Sequence, residues 1–107
     1  MRALRVDPDK RHIEEIDLLR EETAYVCGWI HAECCVLDMI HGSLIGLSGG
    51  DALYLDDDAV MREEKPWQLG ERVLMQGVGL VVGHTEDGEM TSSSTKLDEL
   101  RRRVTWL

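Results

Sequence analysis

Gly49-Gly50-Asp51-Ala52-Leu53-Tyr54-Leu55-Asp56-Asp57-Asp58 is the stretch whose reading decides the fold. Its glycines, preceded by Ser48, tolerate positive φ, as a tight turn requires. Its middle alternates with the period of two that a strand imposes. Ala52, Tyr54 and Asp56 point one way, and Leu53, Leu55 and Asp57 the other. Asp is depleted in strands and three like charges repel, so Asp56-Asp57-Asp58 ends the strand. Upstream, Ile40 to Leu47 is apolar, carries two glycines and has no helical period. Together the two segments read as a β-hairpin turning at Ser48-Gly49-Gly50.

Working toward the N-terminus, Val26, Ile30, Cys34 and Leu37 recur at helical spacing, with Tyr25 and Trp29 beside them. This predicts one long helix over about 21–37, with Glu21 and Glu22 at the positive end of its dipole. Before it, residues 2–6 and 11–17 read as two strands joined by the Asp7-Pro8-Asp9-Lys10 turn, where proline presets φ.

Working toward the C-terminus, Ala59 to Lys65 is a polar connection, and Trp67 to Leu69 a short strand turned by Gly70-Glu71. Val73 to Val82 is an apolar run interrupted by Gly77 and Gly79. It predicts one or two buried strands with close packing or a bend at the glycines. Asp87-Gly88 marks another hairpin turn, with Met90 to Ser93 returning. Thr95-Lys96-Leu97-Asp98 resembles a capping box and opens a C-terminal helix over about 95–104. That helix turns Leu97, Leu100 and Val104 inward and places Arg101, Arg102 and Arg103 at its cation-favouring end. Trp106 and Leu107 close the core edge. The whole is a single α+β domain over 1–107, a small mixed or antiparallel sheet of hairpins with two helices.

A chain of 107 residues with 43% hydrophobic content can bury a core without a metal or disulfide. No apolar run is long enough to span a membrane. The N-terminus goes straight into strand-like alternation without an export signal, and three clustered cysteines suit a reducing compartment, so the expected setting is cytoplasmic. Acids outnumber bases 21 to 12, for a formal charge of −9. That disfavours direct binding of nucleic acid and permits a basic protein partner.

Several stretches bear on chemistry. Cys27, His31, Cys34 and Cys35 are zinc-capable types at helical spacing, but a knuckle with a second ligand segment is missing, and a core stripe is the plainer reading. The Asp56–Asp58 run lacks the spacing of an EF-hand loop. Gly77-x-Gly79-x-x-x-Gly83 has Val82 where a dinucleotide fingerprint needs glycine. His12 and His84 read as surface histidines. No nucleophile, base and orienting group assemble with any specificity. The expectation is therefore no catalysis, no metal and no cofactor.

Met1 to Pro8, Gly50 to Asp57, Gly77 to Gly83, Glu86 to Gly88 and Leu97 to Leu107, taken in that order, resemble a family of small uncharacterised proteins from proteobacteria and their phages and plasmids. Asp58-Ala59 stands where that family tends to have Glu-Gly. The resemblance implies an α+β fold, a cytoplasmic setting and a mobile-element context, and no catalytic residue.

The expected function is a non-catalytic, acidic protein-binding module, with Asp56, Asp57, Asp58, Glu63, Glu64, Glu86 and Asp87 as the binding carboxylates. Its sharpest version is an inhibitor of a host nucleic-acid-handling defence system, of the anti-CRISPR or anti-restriction type. The alternatives are a nucleotide-like ligand held between sheet and helix by Tyr25, Trp29, Tyr54 and Trp67, or a purely structural accessory role. A homodimer through Trp106-Leu107 or a free strand edge stays open.

Overall fold

A computed structural model describes residues 1–107 except 32, 34, 35, 48 and 72. The strands are β1 (Arg2–Asp7), β2 (His12–Asp17), β3 (Leu37–His41), β4 (Ala52–Asp56), β5 (Pro66–Leu69), β6 (Val73–Gln76), β7 (Gly79–His84), β8 (Met90–Thr91) and β9 (Val104–Trp106). The helices are α1 (Thr23–Ile30), α2 (Gly42–Ile45) and α3 (Leu97–Arg103). Every pairing among them is antiparallel. The larger sheet runs β2-β1-β7-β4-β3, with β8 paired to the end of β7, and the smaller runs β6-β5-β9. This is the expected α+β fold.

The larger sheet is apolar on both faces. Strand alternation sends Tyr54, Leu80 and Val82 toward α1, where they meet Val26 and Ile30. It sends Leu53, Leu55 and Val81 the other way, against Trp67, Leu69 and Met75 of the smaller sheet and Leu100 of α3. The centre is therefore a three-layer stack of helix, sheet and sheet, with the central strands β4 and β7 buried along almost their whole length. Arg5 fixes the helix to the sheet by donating from Nε to the Trp29 carbonyl at 2.7 Å.

The long helix is not confirmed. α1 closes at Ile30, where His31 turns extended and donates its N–H to the Cys27 carbonyl. Helical spacing upstream competes with sheet pairing downstream. Leu37 to His41 gain a full ladder against β4, from Leu37↔Asp56 to His41↔Ala52. Gly28 inside the helix also costs about 1 kcal/mol relative to alanine.

The central hairpin exists, but its first strand lies earlier than the expected 40–47 and its connection is not tight. Gly42 to Ile45 form the single turn of α2, which ends on Gly46 at φ 79°. Gly49 and Gly50 do take positive φ, as their sequence suggested. Ser48, the first residue of the expected turn, lies outside the described residues. Gly42 donates its N–H to the Asp51 carbonyl at 2.8 Å, an approach that leaves no room for a side chain.

The apolar run 73–82 becomes two strands with a bend at Gly77, whose φ is 78°. At Gly79, a Cβ would stand 2.9 Å from both Leu53 and Trp67, so the two sheets meet there over bare backbone. After α3 the chain forms β9, a strand that was not expected. It is too short for periodicity to signal, and its place is set by pairing of Trp106 with Trp67. Leu107 is exposed rather than closing the core.

Candidate functional site: a notch between two sheet edges

The β3 edge of the larger sheet and the β6 edge of the smaller one flank an open cleft of about 240 Å³. Ile40, Leu55 and Met75 contribute apolar surface to it, with Ala59, Val60 and Leu74. Asp38, Asp56 and Asp57 bring carboxylates to the same cleft. Val60 is 66% exposed and Leu74 65%, and Met61, next in the loop after Val60, is 83% exposed. Large apolar side chains presented this openly beside a cleft mark an interaction surface more often than a folding requirement.

The loop from Asp57 to Lys65 forms one wall, and ionic and backbone contacts hold it in place. Asp56 is buried at the end of β4, accepts the Asp58 N–H at 3.0 Å and pairs with Arg62. Arg62 also reaches Glu64 at 3.2 Å. Gln76 donates from Nε2 to the Glu64 carbonyl at 2.9 Å, and Gly77 donates to the Lys65 carbonyl, fastening the loop to the smaller sheet. Asp56 and Glu64 thus build the loop. Asp38 and Asp57 are exposed, and their carboxylates have no ion pair among the described residues.

The structure divides the carboxylates expected to bind together. Asp57, Asp58 and Glu63 lie in the loop beyond β4, near the Gly79 end of β7. Glu86 and Asp87 lie in the turn after His84, at the opposite end of that strand, roughly 17 Å away at about 3.3 Å per residue. On β2, Glu14 approaches Arg5, Glu15 approaches Arg2, and Asp17 accepts the N-terminal amine. Mimicry of closely spaced phosphates would need one continuous acidic face. Asp38, the rim carboxylate missing from the sequence reading, stood just past the end of the expected helix and carried no separate signal.

The other candidates separate as well. Tyr25, Trp29 and Tyr54 belong to the α1 side of the sheet, whereas Trp67 is buried on the opposite side. They do not line a common ligand pocket. Cys27 is buried in α1, and the His31 Nδ1 accepts the Glu33 N–H at 3.0 Å. Cys34 and Cys35 lie outside the described residues. Among the described residues no group of three or more His, Cys, Asp or Glu side chains could hold a metal ion, and no helix is long and apolar enough to cross a membrane.

His84 is not a plain surface histidine, since its Nε2 lies 2.7 Å from the Tyr54 hydroxyl. Burial, and then the negative charge of Glu21, hold the Tyr54 phenol above its ordinary pKa of 10.0. On raising the pH, the unfolded chain releases this proton first. The stability that Tyr54 contributes is therefore complete below the unfolded pKa and is lost as pH rises through the folded one. Tyr54→Phe is expected to flatten the decline of the urea midpoint between about pH 8 and about pH 11. An unchanged slope would show that Tyr54 ionises freely in the folded state.

No protein-family model, curated protein or solved structure matches the chain.

Proposed function

We propose that the chain is a non-catalytic protein-binding module and that the notch between β3 and β6 is its binding face. The observation that carries this is the combination of Val60 and Leu74, two-thirds exposed, with an apolar cleft rimmed by Asp38 and Asp57. Apolar area supplies affinity in such an arrangement, while the carboxylates select a basic partner and speed its approach. The formal charge of −9 acts in the same direction. Inhibition of a basic, nucleic-acid-handling host protein in a mobile-element setting is the form this takes if the family resemblance holds, with contact at the notch and not across all seven of the expected carboxylates.

Capture from a lysate of the host at low and at high salt tests the reading, with Leu74→Asp compared against the natural chain. Leu74 is largely exposed, so the fold should tolerate the change. The expected result is a basic protein recovered at low salt, with recovery falling at least about tenfold for Leu74→Asp, equivalent to ~1.4 kcal/mol. Equal recovery by both chains, or no partner, would remove the notch from consideration.

A further inference from the structure

β3 is the last strand of the larger sheet, and no strand pairs with its outer side among the described residues. Its hydrogen-bonding phase follows from its two ends. Val36 accepts the Asp57 N–H, and Gly42 donates to Asp51, so the even-numbered residues face β4. The N–H and C=O groups of Leu37 and Met39 and the N–H of His41 therefore face outward, while the His41 carbonyl, at the N-cap of α2, is taken by the helix. Side chains follow a second alternation. Asp38 and Ile40 stand on the notch face, opposite Leu55 and Leu53, while Met39 stands on the other face and is exposed.

We infer that the partner, if the notch is the binding face proposed above, contributes an extended segment of alternating basic and apolar residues that adds to β3 as a further antiparallel or parallel strand. Main-chain bonds to Leu37, Met39 and His41 would hold it. Basic side chains would enter the notch, laying their aliphatic stems over Ile40, Leu55 and Met75 and bringing their charges to Asp38 and Asp57. The alternate, apolar side chains would cover Met39. A second copy of this chain fits less well, because it would bring like carboxylates and two net charges of −9 to the same edge.

The probe is a capped eight-residue peptide alternating lysine and valine, with a glutamate–valine peptide as control. The inference predicts binding of the basic peptide alone, weakened at least tenfold by high salt, with amide shifts at Leu37, Met39 and His41. Met39→Pro removes one outward N–H and leaves the β4 ladder its bonds, which edge strands tolerate. It should weaken the peptide at least tenfold. Asp38→Asn with Asp57→Asn should do the same while leaving the edge intact, which covers the case in which Met39→Pro fails to fold. No binding of the basic peptide, equal binding of both peptides, or shifts away from β3 would overturn the inference. So would a dimer of the natural chain that Met39→Pro dissociates. Loss of partner capture by Leu74→Asp without any loss by Met39→Pro would overturn strand addition and leave the binding-module reading standing. If neither variant loses capture, both fall.

Discussion

Asp51→Ala is expected to destabilise the domain by about 3–5 kcal/mol. Asp51 is 2% exposed and faces no cation among the described residues, yet its carboxylate accepts three hydrogen bonds. They come from the Ser94 N–H at 2.8 Å, the Thr95 N–H at 2.7 Å and the Thr95 hydroxyl at 2.5 Å. Alanine would leave these donors unsatisfied, and a buried donor without a partner costs about 1–3 kcal/mol. The carboxylate also joins distant parts of the chain, holding the segment that leads into α3 against the start of β4. Asp51→Asn should cost less than alanine, because it keeps an acceptor of the same shape. The double substitution with Thr95→Val should cost less than the sum of the single changes, since the valine removes one of the stranded donors. Equilibrium urea unfolding gives all of these values. A loss below about 1 kcal/mol for Asp51→Ala would mean that the three donors find water or other acceptors.

Trp67→Ala is expected to cost about 3–5 kcal/mol. Trp67 is fully buried, packs where Gly79 leaves room between the two sheets, and donates from Nε1 to the Gly77 carbonyl at 2.8 Å. Its loss opens a large cavity at the junction of the sheets and strands a buried carbonyl. Domains of this size have about 5–15 kcal/mol in total, so the variant would stand close to its unfolding threshold. Thermal denaturation should show a fall in Tm of about 4–8 °C for each kcal/mol lost. Trp67→Phe keeps most of the volume and loses the hydrogen bond, so it should cost less. Equal costs for Ala and Phe would mean that the indole N–H, and not packing, holds the junction.

Sequence reading succeeded where one local pattern met no competitor. The first hairpin, the strand at 52–56, the short strand at 66–69, the bend at Gly77 and the C-terminal helix all follow from alternation, turn residues or helical period. It failed where two patterns overlapped. Val26, Ile30 and Leu37 share a helical period, but Leu37 belongs to β3, because pairing with β4 adds a ladder that a longer helix could not. Thr95 looked like a helix cap. Its hydroxyl serves Asp51 instead, and Lys96 occupies the cap position without a side-chain bond. Arg103 suited the end of its own helix by charge, yet it donates to the carbonyls of Ile45 and Gly46 at the end of α2. Such long-range uses of a local motif depend on which elements become neighbours, and spacing along the chain does not carry that.

The same limit governed the site. Asp57 was legible as an exposed acid, whereas Asp56 and Glu64 carried the same signal and turned out to secure the loop through Arg62. Asp38, Ile40 and Leu74 come together only because β3 and β6 end their sheets side by side.

Hydrogen exchange of the chain with and without its captured partner tests the notch most directly. Binding there predicts added protection concentrated at Leu37 to His41 and in the 57–61 loop, with the turn at Glu86 and Asp87 unchanged. Protection centred on that turn or on α1, with β3 unaffected, would contradict the notch as the binding face.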